Sequence, residues 1–346
     1  MAHYSNFYSI TPDLIDSRFQ NTQQPFYNVL KIFYLNSGAA VRIFWIVSGF
    51  VLAHQYLNRD CSAKYFFIAR FARLYPLHLL TLVIVGILQF YSQLRFKNTQ
   101  IYGNNDTWHF ILNFFTISNL GLESGHSYNA PFWSVSCEII AYIVFGLTFK
   151  YYSKIPILPS LILFCTTFFI FFEFNILTSL VTHAIFYFYL GVVTYQIFLY
   201  RNIFIYTLSV LIISLFILAK LTNIIFLDST NFLKFDYSDF YNCLVYASVI
   251  LLMCSIDMRF KAFQFETFSS YVGNLTYSTY LIHVPYQIFL LIVLQSFDVD
   301  QFLLAQNKWF FIFYLISIIY LSRIIYLFFE HPIRLQIRKL FHKNIK

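Results

Sequence analysis

The sequence is short of charge. Of its 346 residues only 11% are Asp, Glu, Lys or Arg, whereas a soluble globular domain carries about 25%. Phe alone supplies 45 residues, and hydrophobic residues make up 59% of the chain. So few charges cannot cover the surface of a water-soluble globule, which excludes a soluble enzyme and a disordered linker. We therefore expect a protein of the lipid bilayer.

Several further patterns are missing. The five cysteines show no CxxC spacing and the histidines no HxxxH or HExxH pattern, so neither a disulfide framework nor a metal site is indicated. No basic stripe carries interleaved aromatic residues, so the net charge of +8 does not indicate nucleic-acid binding. The first 25 residues lack an apolar stretch, so no secretory signal is predicted.

Long apolar runs dominate the chain instead. About 20 apolar residues cross a bilayer as a helix, and the runs that qualify predict nine spans. They are 39–57, 74–92, 131–149, 156–173, 180–199, 203–219, 240–256, 271–295 and 308–329. The run Trp108–Leu120 is shorter and predicts an interfacial or re-entrant helix. The predicted fold is an all-α, polytopic membrane helical bundle forming one domain over residues 1–346.

The Lys and Arg residues of the short loops predict the orientation. One set of loops, together with the C-terminal tail, holds 14 of these cations, and the opposite set holds seven. This bias places the loop 58–73 and the basic tail 331–346 in the cytoplasm. Residues 1–38 then lie outside, which is unusual without a signal, so we expect a segment to be missing before Met1.

Two charged side chains fall inside predicted spans. Arg42 lies near the outer end of its span, where snorkelling to the interface is the alternative to a functional role. Glu138 shares one helical face with Ser134 and Tyr142, at spacing i, i+4 and i+8. Such a polar stripe cannot face lipid, so it lines a cavity or a buried hydrogen-bond network.

Three further motifs lie near the ends of predicted spans or inside them. Arg70 and Arg73 share a helical face and predict either a polyphosphate grip or an ordinary positive-inside anchor. His283, followed by Pro285, marks a polar and bent helix interior, for which a packed structural role and a functional role both stay open. Glu330 predicts a structural ion pair or helix end at the cytoplasmic face.

Taken together, these segments resemble acyltransferase family 3, integral membrane proteins that acylate sugars of bacterial surface polysaccharides and related acceptors. The resemblance rests on six motifs in family order across residues 38–334. They are Gly38–Phe50, Arg70-x-x-Arg73-Leu-Tyr-Pro, Asn129-x-Pro-x-Trp-Ser-x-Ser-x-Glu-x-x-x-Tyr142, Phe188-x-x-Gly191-x-x-x-Tyr195, Gly273-x-x-x-Tyr-Ser-x-Tyr-Leu-x-His-x-Pro285 and Glu330-x-Pro-x-Arg334. The family has ten spans, the first of which carries an Arg and then a functional His. His3 matches that His, so the resemblance implies that most of the first span is absent and that residues 1–38 hold its remnant and an extracytoplasmic loop.

The resemblance also implies a function at the bacterial inner membrane. The donor is acyl-CoA, usually acetyl-CoA, entering from the cytoplasm with its phosphates on Arg70 and Arg73. The acceptor is a hydroxyl of a cell-surface polysaccharide or lipid-linked sugar. The thioester is expected in a cavity lined by Arg42, Trp133, Ser134, Glu138, Tyr142 and His283.

The same resemblance suggests roles for individual residues. His3 is expected either to deprotonate the acceptor hydroxyl or to carry the acyl group transiently. Glu138 is expected to orient that imidazole or to hold the sugar. Arg42 or Ser134 is expected to stabilise the tetrahedral oxyanion. The spacing does not distinguish among these roles.

Two other classes of function stay open at this stage. A polytopic transporter or flippase of a polysaccharide precursor would also combine many spans with a few buried charges. Transporters commonly carry internal repeats, and no repeat is visible in this sequence. A non-catalytic membrane scaffold is the third reading, favoured only if the chain natively begins at Met1. Binding of CoA discriminates the acyltransferase from both.

Overall fold

The computed structural model describes residues 2–57, 61–123, 125–150, 160–162, 164–167, 179–200, 202–221, 237–259 and 265–342. Within these ranges the protein is helical apart from loops and one short antiparallel hairpin, formed by β1 (Ser9–Thr11) and β2 (Leu14–Ile15). The all-α class predicted from the sequence is therefore confirmed.

The helices whose bounds the structure describes are numbered in chain order. They are α1 (Tyr27–Leu35), α2 (Ser37–Tyr56), α3 (Ala63–Phe96), α4 (Thr107–Phe114), α5 (Trp133–Thr148), α6 (Ser179–Leu199), α7 (Ile203–Leu221), α8 (Tyr237–Arg259), α9 (Phe265–Ser296), α10 (Gln301–Gln306), α11 (Lys308–Ile325) and α12 (His331–His342). Short 3-10 helices cover Ala2–Tyr8 and Ala130–Phe132, and a π-helical turn, Tyr326–Glu330, joins α11 to α12.

Six helices among the described residues are long and apolar enough to cross a membrane, which makes this a multi-pass membrane protein. They are α2, α3, α5 with its preceding 3-10 turn, α6, α9 and the run from α11 into α12. Nine complete spans are not confirmed. The described apolar stretches within α7 and α8 are Ile203–Leu215 and Tyr241–Ile256, and the predicted span 156–173 lies largely outside the described residues. Helix α4 has eight residues, too few to cross, as predicted.

The chain divides into two compact units, each built from separate segments. The first unit comprises Met1–Asn36, Lys64–Ser136 and Phe265–Lys346, and the second comprises Ser37–Ala63 and Cys137–Gln264. The first unit therefore contains α1, α3, α4 and α9 to α12, and the second contains α2, α6, α7 and α8. The boundary in the middle of the chain falls inside α5, after Ser136.

The core of the first unit is unusually aromatic. Tyr4 lies edge-on to Phe311 with ring centroids 5.0 Å apart, and Phe7 lies edge-on to Tyr314 at 5.2 Å. Tyr4 also donates a hydrogen bond of 2.9 Å to the carbonyl of Ala305. Edge-to-face pairs contribute about 0.5–1.5 kcal/mol each beyond the area that they bury. These contacts anchor the N-terminal 3-10 helix to α11.

A proline inside α9 sets the position of the loop that precedes α5. Pro285 has no N–H, so the carbonyl of Leu281 loses its normal partner within the helix. The side chain of Asn129 replaces that partner, since its Nδ2 donates to Leu281 O at 2.9 Å and to Thr81 Oγ1 at 3.1 Å. Asn129 is fully buried. One amide therefore joins α9, α3 and the start of α5.

The second unit depends on a close approach of α2 and α6. A Cβ placed on Gly49 would overlap the carbonyl oxygen of Phe188, and one placed on Gly191 would overlap that of Ile46. Small residues allow such backbone contact between membrane helices, where close packing replaces the hydrophobic driving force. Close packing of the two helices thus explains why the motifs noted above have glycine at positions 49 and 191.

We expect Gly49→Ala and Gly191→Ala each to separate α2 from α6, because the added methyl group meets backbone atoms that cannot rotate away. The cost should be at least 1–3 kcal/mol, roughly that of overpacking a core. Thermal unfolding in detergent measures it. Gly273→Ala is the control, since no atom lies within 4 Å of its Cβ position. Equal melting temperatures for all three variants would contradict this packing.

Candidate functional site

Two histidines far apart in the sequence meet in the first unit. The rings of His3 and His283 lie 5.1 Å apart between centroids, at an interplanar angle of 44°. Gln287, one turn beyond His283 on α9, donates from Nε2 to the carbonyl of His3 at 2.8 Å. Asn6 donates in turn to Gln287 Oε1 at 3.1 Å. The structure thus brings together two of the residues predicted from the sequence.

The hydrogen bond that His283 makes determines which of its two ring nitrogens carries the proton. Its Nδ1 lies 2.6 Å from the carbonyl oxygen of Tyr280, and a carbonyl can only accept, so Nδ1 carries the proton. In the neutral imidazole this leaves the lone pair on Nε2. A fixed tautomer of this kind can accept a proton at Nε2 without first reorienting the ring.

Ser134 reaches the same cluster through a tyrosine. Its Oγ and the Tyr280 hydroxyl form a hydrogen bond of 2.6 Å, and the Tyr280 hydroxyl donates to the carbonyl of Pro131. The ring of Tyr280 lies 6.0 Å from that of His283. Trp133, at the first turn of α5, is half-buried. Tyr280 was missed by the sequence reasoning, although its spacing of three residues from His283 puts both on one helical face.

The second unit contains the other predicted residues of the polar stripe. Glu138 is completely buried, and Tyr142 is buried with its hydroxyl 2.9 Å from Ser48 Oγ. Arg42 is 4% exposed and its guanidinium lies over the ring of Tyr187, 5.8 Å from the centroid. Arg42 therefore does not snorkel to a surface. The stripe faces protein rather than lipid, as predicted.

The predicted ion pair at Glu330 is present in the first unit. Arg73 Nη1 is hydrogen-bonded to Glu330 Oε1, and Ser278 donates to Glu330 Oε2 at 2.5 Å. The Arg73 guanidinium also lies 5.6 Å above the ring of Tyr277. Glu330 is 3% exposed. This carboxylate therefore ties α3, α9 and the π-helical turn together.

Further arginines accompany this pair on α12. Arg334 follows Glu330 by one helical turn and lies within electrostatic range of Arg73, and Arg338 follows after another turn. Both are half-buried. With Arg70 on α3 they give this end of the first unit a cationic character. Sequence reasoning noted Arg334 only as part of a motif and Arg338 as part of the basic tail, although their spacing indicates a shared face.

Among the described residues no group of three His, Cys, Asp or Glu could hold a metal ion.

Comparison with known proteins identifies a family that the chain matches. A family model described as "Acyltransferase domain" matches residues 1–327. The chain is 33% identical over 121 residues to the acyltransferase MdmB of Streptomyces mycarofaciens, a match that covers 34% of this chain and 30% of that protein. The chain thus spans under a third of the length of this curated relative. No solved structure matches.

The Arg73–Glu330 pair gives a stability prediction. Removing Arg73 leaves a buried carboxylate without its cation, which costs about 3–5 kcal/mol. Arg73→Ala should therefore lower the melting temperature more than the paired variant Arg73→Met with Glu330→Gln, in which no charge is left buried. Thermal unfolding in detergent compares them. An Arg73→Ala protein as stable as the unsubstituted protein would mean that the pair contributes nothing.

Proposed function

This chain belongs to acyltransferase family 3, and from that premise we propose that it transfers an acyl group, in the simplest case acetyl, from acyl-CoA to a hydroxyl of a cell-surface polysaccharide or lipid-linked sugar. The observation that carries the proposal is the contact between His3 and His283. It joins the residue at the family's functional histidine position to a second imidazole with a fixed tautomer.

The chemistry needs a base. The acceptor hydroxyl has a pKa far above 7, so its attack on the thioester carbonyl requires proton removal in the transition state. In the proposed reaction the imidazole of His3 takes that proton, the new C–O ester bond forms, and the C–S bond breaks. The proton then passes to the departing sulfur, which leaves as CoA thiol. His283, whose Nδ1 is fixed on Tyr280, orients His3 or shares the proton.

The tetrahedral intermediate carries a negative oxygen that needs a fixed donor. We propose Ser134 for this role, held by Tyr280 in the same unit as the two histidines. Arg42 is the other donor that the family resemblance implies, and Glu138 is the carboxylate that it implies for orienting the imidazole or holding the sugar. Both stay predictions from the sequence.

The cationic end of the first unit is our proposed site for the phosphates of acyl-CoA. Arg70, Arg334 and Arg338 would bind them with charge-assisted hydrogen bonds, while Glu330 fixes Arg73 beside them. Ser278, which contacts Glu330, precedes His283 by five residues on α9, or roughly 8 Å along the helix axis. A pantetheine arm would thus extend from the arginines toward the histidines.

This arrangement fits the orientation predicted from the loop charges. The arginines and the C-terminus face the cytoplasm of a bacterial inner membrane, where acyl-CoA is made, and the acceptor approaches from the opposite side. Helix α9 begins at the first face and ends at the second. The supporting observation is that α12, the last described helix of the chain, carries Arg334, Arg338 and Lys339.

Replacement of either histidine tests the chemistry. His3→Ala should lower kcat by about 10²–10⁴, the usual contribution of a general base, and His283→Ala should also lower kcat. The double variant should lose little more than the worse single variant, because the two act as a unit. Transfer of labelled acetyl to the acceptor is the measurement. His54→Ala is the control, since His54 is exposed on α2. Full activity of His3→Ala would remove His3 from the reaction.

A second experiment tests the donor site. Arg70→Ala should raise the KM for acyl-CoA by about 10- to 100-fold, the loss expected for a charged hydrogen bond. The KM for acyl-pantetheine, which lacks the nucleotide, should not change. Lys64→Ala, which removes an exposed cation from the same end of α3, should leave both values unchanged. An unaltered KM for acyl-CoA would return Arg70 to the role of a membrane anchor.

A further inference from the structure

A cavity of about 360 Å³ lies in the first unit, and Arg70, Arg334 and Arg338 are not among the residues that line it. Its walls come from the N-terminal hairpin, the loop after α3, the end of α9 and the start of α10. The volume falls in the range of small-molecule sites, about 300–1,000 Å³. The loops that form it belong to the face predicted to lie outside the cytoplasm.

A buried amide network makes one wall of this cavity rigid. Gln100 exchanges two hydrogen bonds of 2.8 Å with Gln89 on α3, and its Nε2 donates to Ser92 at 2.9 Å and to Gln295 on α9 at 2.8 Å. Ile101, next in the chain, has φ 63°, a value that costs a β-branched residue energy. The loop therefore holds one shape before any ligand binds.

Two polar atoms at the cavity have no partner among the described residues. Tyr8, whose side chain is 1% exposed, buries its hydroxyl without a hydrogen bond, and so does the Oδ1 of Asn98. A buried polar group left unsatisfied costs about 1–3 kcal/mol. Phe302 supplies an apolar ring beside them, 5.3 Å from the ring of Tyr8. The wall thus offers one aromatic face and unused hydrogen-bond groups.

The charges in the wall are mostly negative. The charged lining residues are Asp16, Asp298, Asp300 and Arg18. Arg18 is already engaged by Asp16 at 2.5 Å and stacks on Phe302, 4.6 Å from its centroid. Hydrogen bonds from Arg18 hold the pKa of Asp16 below its ordinary value, so this carboxyl is ionised. Carboxylates are in excess by two, which disfavours an anionic ligand.

One face of α9 connects the cavity to the histidines. His283, Gln287, Leu291 and Gln295 follow at intervals of four residues, so they lie on one side of the helix. The last two line the cavity. Gln295 stands roughly 18 Å from His283 along the axis. A ligand in the cavity would therefore lie in line with the histidines, several sugar units away.

We propose that this cavity binds an uncharged sugar unit of the acceptor, several units along the chain from the one that is acylated, and that its carboxylates select against acidic sugars. This inference rests on the proposed function. Tyr8 and Asn98 supply the hydrogen bonds to sugar hydroxyls.

The test is a binding measurement that needs no acyl donor. The full chain in lipid nanodiscs is titrated with methyl glucoside and with methyl glucuronide, followed by saturation-transfer NMR. The neutral glucoside should bind and the anionic glucuronide should bind at least about tenfold more weakly. Tyr8→Phe and Asn98→Leu should each weaken glucoside binding about two- to tenfold, the worth of one hydrogen bond. Asp298→Asn should strengthen glucuronide binding.

Tyr34→Phe is the matched control, because the Tyr34 hydroxyl is bonded to Pro25 O at 2.9 Å and does not line the cavity. Its glucoside affinity should equal that of the unsubstituted protein. The proposal is overturned if the glucoside does not bind, if both cavity variants bind it normally, or if the glucuronide binds equally well. Acyl transfer is assayed separately. Its absence beside normal glucoside binding would overturn the proposed function and leave the cavity assignment intact.

Discussion

A bilayer core provides no water to satisfy polar groups, so every polar group on a spanning helix must find its partner within the protein. Helix α9 shows how strongly this constraint shapes the first unit. Ser278 is bonded to Glu330, the carbonyl of Tyr280 to His283, and Gln287 to His3. Ser278 and Gln287 therefore join α9 to distant parts of the chain, whereas His283 is bonded within the helix.

The contacts proposed to serve the donor, the chemistry and the acceptor follow one another in that order along α9. Shortly before its midpoint, Ser278 touches the carboxylate that fixes Arg73. His283 contacts His3 near the middle, and Gln295 lines a cavity near the end. Donor phosphates, chemistry and acceptor would thus follow one another along a single rigid element. Pro285 is compatible with a continuous helix because Asn129 satisfies the carbonyl that the proline leaves open.

Sequence patterns predicted the features that depend on residues close together in the chain, namely the long helices and the polar stripe of α5. Apolar runs located the long helices, and the spacing of Ser134, Glu138 and Tyr142 predicted a stripe that is indeed buried. The partners could not be predicted, because they join distant segments. The bond between Asn129 and Leu281 spans 152 positions, and nothing local identifies it.

Other features were within reach of the sequence but were missed. The four-residue spacing from His283 to Gln287 and on to Gln295 marks a polar face of α9, and the spacing of Glu330, Arg334 and Arg338 marks another on α12. The apolar runs of the sequence predicted nine spans, whereas six helices among the described residues have the length and composition of a membrane span.

The most direct measurement of the central claim is the sidedness of transfer. The purified chain is reconstituted in vesicles, and labelled acetyl-CoA and acceptor are supplied on chosen sides. The account predicts labelled acceptor only when acetyl-CoA is on the side of the C-terminus and the acceptor on the opposite side. Transfer that requires both substrates on one side would contradict a reaction running along α9 from the arginines to the outer cavity.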